Sequence, residues 1–138
     1  MFSKYLDKLQ NSLLKSTPKR IAILEFFYNN NKFMTPEEVH EKLSRQFDQC
    51  GLPSVYRNLE SLTECGILVR IHKFDNKRYY GLCRAEKDEH HHHIVCIRCG
   101  KIGDVPGCEL FKQKEVSGFK IVDHFLQLDG ICADCQKA

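Results

Sequence analysis

Pro53-Ser54-Val55-Tyr56-Arg57-Asn58-Leu59-Glu60-Ser61-Leu62-Thr63-Glu64-Cys65-Gly66 is the stretch from which the fold can be read. Val55, Leu59 and Leu62 recur at i, i+4 and i+7, the apolar stripe of an amphipathic helix. Ser54, Tyr56, Arg57 and Asn58 then point away from that stripe near the helix start. Gly66 stands where a helix commonly ends in a left-handed residue.

Upstream, Gln49-Cys50-Gly51-Leu52 breaks this helix from an earlier one. Thr35-Pro36-Glu37-Glu38 opens that earlier helix with a threonine cap, a proline at the first helical position and a glutamate three residues after the cap, a capping box. Val39, Leu43 and Phe47 are its expected inner face. Thr17-Pro18-Lys19-Arg20 repeats the opening for a helix with Ile21, Leu24, Phe27 and Tyr28 buried, ended by Asn29-Asn30-Asn31. Met1 to Leu14 reads as a first helix with Phe2, Leu6, Leu9 and Leu13 apolar.

Downstream, two strand-like runs, Ile67 to Phe74 and Arg78 to Cys83, flank an Asp75-Asn76-Lys77 turn and predict a hairpin. Helices and hairpin in this order describe a winged helix-turn-helix, whose second helix of the pair enters a DNA major groove. Tyr56 can stack or meet a thymine methyl, and Arg57 can reach guanine or a phosphate, with Ser54 and Asn58 beside them. Lys15, Lys19, Arg20, Lys73, Lys77 and Arg78 are candidates for phosphate contacts, which position the protein without reading sequence. The same fold also serves as a protein-interaction module, in which Tyr56 and Arg57 would simply be exposed.

The chain has 138 residues, enough for one ordinary core or two small ones. Residues 1–82 hold 13 lysines and arginines against 9 acids, while residues 83–138 hold 8 against 9. A mildly basic first half suits a polyanionic partner, although a solvated surface can carry the same excess. No uncharged run approaches the ~18 residues of a membrane span. Met1 to Leu14 is punctuated by charges and is not a secretory signal, which points to the cytoplasm and away from a disulfide framework for the eight cysteines.

Six of those eight cysteines fall in residues 83–138. Cys96-Ile97-Arg98-Cys99 and Cys132-Ala133-Asp134-Cys135 are two Cys-x-x-Cys pairs, and together they predict a closed structural Zn²⁺ site with no open position for catalysis. His90-His91-His92-His93 precedes the first pair. In a strand His91 and His93 share one face and His90 and His92 the other, so two faces could feed two sites. Phe119 to Leu128 alternates, with Val122, His124, Leu126 and Leu128 on one side, and predicts a strand of a dimer sheet after a short helix around Glu109 to Val116.

Thr17 to Leu24, Val55-Tyr56-Arg57-Asn58-Leu59, His90 to Cys96, Cys99-Gly100-Lys101 and Gly130 to Cys135 together resemble the ferric uptake regulator (Fur) family of bacterial metal-dependent repressors. The match keeps its order along essentially the whole chain. The resemblance implies an α+β protein: a winged helix over residues 1–83, then an α/β dimerisation domain over residues 84–138 stapled by the four-cysteine zinc. It implies a regulatory metal site at the hinge and a metal-loaded homodimer binding an AT-rich inverted repeat in double-stranded DNA. Tyr56 and Arg57 fall in the recognition helix.

The resemblance assigns His91, His93 and Asp104 to the regulatory site. His90, His92, Glu109 and His124 approximate a further site of iron-type members. The departures bear on the metal. Iron- and peroxide-sensing members draw a histidine and a carboxylate from positions that here hold Phe33 and Gly81. Cys83 stands two residues beyond Gly81, where the zinc-sensing (Zur-like) branch carries a ligand cysteine. A thiolate among imidazoles favours Zn²⁺ over Fe²⁺, Mn²⁺ or Ni²⁺, so Cys83, His91, His93 and Asp104 are expected to sense zinc. Zinc sensors also use a donor in the first wing strand, where this chain has Val69; His72 is the nearest substitute. Cys50 and Cys65 read as small buried hydrophobes, His40 as a packing or surface residue, and Cys108, after Pro106-Gly107, as a reactive thiol or a further sensor ligand.

The sequence thus predicts a zinc-responsive dimeric repressor, with no membrane partner and no small-molecule substrate other than the metal ion. An iron-, peroxide- or nickel-responsive member of the same family is the alternative. A zinc-ribbon interaction module or a zinc enzyme is the rival from another class. Deaminase-like chemistry needs a glutamate beside an open three-ligand zinc, and the histidine run has no His-x-Glu.

Overall fold

The computed structural model describes residues 2–12, 14–72, 75, 77–84, 92–105, 114–124 and 126–137. They divide into two compact units, Met1–Cys83 and Arg84–Ala138. The first unit contains α1 (Ser3–Asn11), α2 (Pro18–Asn30), α3 (Pro36–Ser44), α4 (Leu52–Glu64) and a two-stranded wing, β1 (Leu68–Ile71) with β2 (Tyr79–Leu82). Leu68 faces Leu82 and Ile71 faces Tyr79 across the antiparallel wing. Met34 bridges to Tyr80 and ties the segment before α3 to the wing.

Local chemistry accounts for the helix ends. Thr17 accepts the Arg20 amide and Thr35 accepts the Glu38 amide, each ahead of a proline. The Thr35 hydroxyl also donates to the Glu38 carboxylate at 3.2 Å, a variant of the expected box. Asn31 ends α2 at φ 49. At the end of α4 the Ile67 amide reaches the Leu62 carbonyl and the Gly66 amide the Thr63 carbonyl, a Schellman cap that needs the φ of +83 at Gly66.

The core gathers Leu9, Ile23, Leu24, Phe27, Val39, Leu43, Leu59 and Leu62 with Leu68, Tyr80 and Leu82 of the wing. Val55, Leu59 and Leu62 are all buried, as the period of the stretch requires. Three details of the expected packing shift. In α1, Tyr5 joins Leu9 in the core while Leu6 is only half-buried, and the helix stops at Asn11. In α2, Ile23 is fully buried and Ile21 and Tyr28 lie at the margin. Phe47 packs from beyond the end of α3.

The second unit carries a three-stranded sheet in the order β4 (Ile102–Val105), β3 (His92–Cys96), β7 (Gln127–Gly130), followed by a short α5 (Ala133–Gln136). β4 runs antiparallel and β7 parallel to β3. Between them β5 (Glu115–Val116) and β6 (Phe119–Lys120) form a small hairpin. Ser117 and Gly118 both have positive φ, the two-residue turn that matches strand twist.

That hairpin corrects two expectations. Glu115 and Val116 are strand rather than the end of a helix; residues 106–113, including Glu109 and Cys108, lie outside the described residues. Phe119 to Leu128 is not one strand either: β6 ends at Lys120, with a last hairpin bond from the Ile121 amide to Lys114 O, and strand resumes at Gln127. The first residues of that run pair back across the Ser117-Gly118 turn onto β5, and its last, in β7, take their partners from β3. Among the described residues no helix is long and apolar enough to cross a membrane.

Candidate metal centres and nucleic-acid face

β3 ends in a knuckle. The Cys96 amide donates to Lys101 O and the Gly100 amide returns to Cys96 O at 3.0 Å, with Gly100 at φ +80. This turn sets Cys99 beside Cys96. β7 runs parallel to β3 and delivers Cys132 to the same end, where it caps α5 and places Cys135 one turn later. The four sulfur atoms of Cys96, Cys99, Cys132 and Cys135 all lie within 4.8 Å of one another.

Cys99 Sγ and Cys132 Sγ are 3.7 Å apart. A disulfide requires about 2.05 Å, whereas two thiolates about 2.3 Å from one tetrahedral ion stand roughly 3.8 Å apart. The donor set therefore fits a four-sulfur ion site. Its protonation chemistry agrees. The Cys96 thiol is pulled down to about 5 by backbone amides, first that of Cys132, whose N lies 3.4 Å from the sulfur. The Cys135 thiol is pushed up to about 12, first by its hydrogen bond to Cys132, then by burial and by Cys96 and Cys99. Four thiols so close resist full ionisation together, and a divalent cation is what would let them do so.

The sheet presents two further donor pairs on opposite faces. His93 is opposite Asp104 in the β3–β4 register, with Nε2 3.7 Å from Oδ1. His92 points the other way, is buried, and sets its Nε2 3.1 Å from His124 Nε2. Two imidazoles on one tetrahedral ion stand roughly 3.3 Å apart at about 2.0–2.1 Å metal–nitrogen distance, so this pair too has the spacing of joint ligands. His91, His90 and Glu109 lie outside the described residues.

Cys83 is buried at the end of the wing, its amide donating to Ile67 O at 2.9 Å. His72 is exposed just beyond the other end of β1. Five residues of extended chain, about 16 Å, separate Ile67 from His72, so His72 cannot share an ion with Cys83 in one wing. That corrects the expectation that His72 could complete the sensing set. Val69 and Gly81 face each other in the wing and offer no ligand atoms, and the Phe33 ring packs edge-on to Tyr79 at 5.0 Å.

On the nucleic-acid face, Arg57 is exposed and Ser54, Tyr56 and Asn58 are half-buried at the start of α4. The Tyr56 hydroxyl donates to Glu37 at 2.9 Å, which holds its ionisation above the ordinary tyrosine value. Asn58 accepts from Arg20 Nε at 3.1 Å, and Arg20 also donates to Lys15 O. Those two side chains brace α2 against α4 and are less available than Arg57. Lys19 donates to Gln49 O and lies over the Phe47 ring. Lys15, Lys77 and Arg78 are exposed, whereas Lys73 lies outside the described residues. Sequence reasoning passed over Glu37, Glu60 and Arg70; the i, i+4 spacing of Tyr56 and Glu60 was the available signal.

A helix-turn-helix with a two-stranded wing, followed in the same chain by a four-thiol cluster, fits a DNA-binding, metal-binding transcriptional regulator. Residues 11–129 match the model of the Ferric uptake regulator family, and the chain belongs to that family. It is 36% identical over 136 residues to the Ferric uptake regulation protein of Neisseria meningitidis serogroup A, covering 95% of this chain and 92% of the relative. It is 30% identical to the Peroxide operon regulator of Bacillus subtilis, covering 96% and 91%. A zinc uptake regulator solved in complex with zinc and DNA shares the fold, with a TM-score of 0.76 at 22% identity over 99% of this chain and 93% of that one.

Proposed function

We propose that this protein is a cytoplasmic, homodimeric, zinc-responsive transcriptional repressor without enzymatic activity, binding an AT-rich inverted-repeat operator when its regulatory metal is bound. The observation that carries the reading is the separation of two kinds of donor set. Cys96, Cys99, Cys132 and Cys135 form a closed all-sulfur set suited to a permanent structural Zn²⁺. His93 and Asp104 form a distinct, smaller set on the sheet, suited to an exchangeable ion. Cys83, His91, His93 and Asp104 remain the proposed sensing residues, and the Cys83 thiol is the reason for preferring zinc. His92 and His124, with His90 and Glu109, are the proposed further site.

A bound sensing ion would supply a cross-link that favours DNA-competent dimers. Coupling of this kind is typically about 1–3 kcal/mol, tenfold or more in operator affinity. One observation favours a second reading. The His92–His124 pair is all nitrogen and the His93–Asp104 pair nitrogen and oxygen, donors that suit Fe²⁺, Mn²⁺ or Ni²⁺. Relatives at 36% identity carry the name of ferric uptake regulators. An iron-, peroxide- or nickel-responsive repressor is therefore the alternative.

Duplex binding measured at buffered free Zn²⁺, Fe²⁺, Mn²⁺ and Ni²⁺ separates the two. The zinc reading expects tight binding at the lowest free Zn²⁺, and expects Cys83→Ser with His93→Ala to give a folded dimer that no longer responds to zinc. Full zinc-dependent binding by that double variant would defeat the assignment.

A further inference from the structure

We propose that Arg70 and Arg78 form a buttressed pair that grips a DNA backbone phosphate in the cleft between α4 and the wing, with Glu60 as the residue that positions both guanidinium groups. The inference rests on the DNA-binding reading and adds Arg70, with Glu60 as its brace, to the phosphate contacts already expected of the wing residues Lys77 and Arg78. Tyr56 and Glu60 stand one turn apart on the same face of α4. Arg70 lies opposite Tyr80 in the wing register, on the sheet face that turns Leu68 and Leu82 into the core. At the end of that face the apolar core gives way to the Glu60 carboxylate.

Glu60 accepts from the Arg70 guanidinium and from the hydroxyl of the buried Tyr80, and Arg78 Nη1 lies 3.4 Å from its Oε1. These partners, Arg70 first, hold the Glu60 carboxyl below the ordinary glutamate range against the effect of burial. Arg78 also rests over the Tyr56 ring, 5.9 Å from its centroid, while Tyr56 is tied to Glu37 on α3. The carboxylate is thus held by a buried phenol and pairs with two long cationic side chains beside α4.

The cleft they line measures about 410 Å³ and also includes Lys77 and His72. Among the lining residues Arg70, Lys77 and Arg78 set three positive charges against the Glu60 carboxylate, with the Asp75 carboxylate, which accepts from the Lys77 amide and the Tyr79 hydroxyl, beside them, so the complement of the cleft is an anion. Each guanidinium has five N–H donors in a planar fork, and pairing with Glu60 leaves outward donors unspent for phosphate oxygens. Side chains already held in place lose less freedom on binding. A free anion could enter the same cleft, but Arg78 rests over Tyr56 and Glu60 shares α4 with it, the helix proposed to read DNA bases, which favours the DNA backbone as the source.

The test uses the full metal-loaded chain, an AT-rich duplex and a mixed-sequence duplex of equal length, with affinity measured across salt concentrations. Arg70→Ala is expected to weaken both complexes by a similar factor, on the order of tenfold, and to lower the slope of log affinity against log salt by about one. Arg70→Lys should restore the slope with only part of the affinity. Glu60→Gln keeps an acceptor for Tyr80 and should weaken binding severalfold at an unchanged slope. Inorganic phosphate at matched ionic strength should not compete; competition that saturates would reassign the cleft to a free anion and overturn the proposal. An unaltered salt slope in Arg70→Ala, or Glu60→Gln binding as tightly as the unmodified chain, would also overturn it. Arg70 is exposed, so its variants remain informative even if Glu60→Gln folds poorly. Failure of the unmodified chain to bind either duplex would instead remove the DNA-binding reading itself.

Discussion

Gly66 closes α4 at φ +83, and a side chain there would meet only Lys8 at ordinary contact distance, 3.6 Å from Nζ. The cost of Gly66→Ala is therefore backbone strain, about 1–2 kcal/mol, measurable as a lower urea midpoint. Leu59 lies fully buried in the same helix, and Leu59→Ala should cost more, about 2–5 kcal/mol, because it leaves a cavity. The reverse order of these two variants would place the stability of the first unit somewhere other than its core. Arg57 differs in kind: it is exposed, and Arg57→Ala should leave the urea midpoint unchanged while weakening operator binding by about 1–3 kcal/mol and relaxing sequence preference.

Between elements, the joint of α4 with the wing depends on Glu60. Its carboxyl ionises below the ordinary glutamate value, chiefly through the hydrogen bond from Arg70. A depressed value means that folding favours the charged form. The stabilisation is then present above the unfolded pKa of about 4.3 and is lost as pH falls through the lower folded value. Acid unfolding of the chain should show this contribution, and Glu60→Gln should flatten the curve in that window; an identical acid profile would mean that the ion pairs add nothing. Legibility differs between the two units for a related reason. Val55, Leu59 and Leu62, the threonine caps and Gly66 are local signals, and local signals place helices. Cys96 to Cys135 was legible as well, because Cys-x-x-Cys spacing fixes geometry over one turn. Alternation from Phe119 to Leu128 misled, since strand identity depends on which partner supplies hydrogen bonds: Phe119 and Lys120 pair back onto Glu115 and Val116, whereas Gln127 to Gly130 pair with β3. The Glu60 cluster was hidden because it joins a helix to residues ten, eighteen and twenty positions further on.

For the whole molecule, the large hydrophobic side chains left exposed among the described residues all belong to the second unit, from Ile94 to Ile131. Phe119 and Val122 are 76% and 93% exposed, apolar surface that a partner copy would cover in the proposed dimer. Phe119→Ser with Val122→Ser should raise the dimer dissociation constant at least about tenfold in sedimentation equilibrium, and a dimer of undiminished strength would move the interface elsewhere. In the proposed function two ions play different parts: one is permanently held by Cys96, Cys99, Cys132 and Cys135, and one is exchangeable and governs DNA binding. Metal content per chain, measured before and after mild chelation on samples assayed for duplex binding, tests it most directly. The expected result is one zinc per chain retained after chelation, a folded protein, and operator binding that is lost and then restored by added zinc. Undiminished operator binding by chain that retains only that single zinc would contradict it.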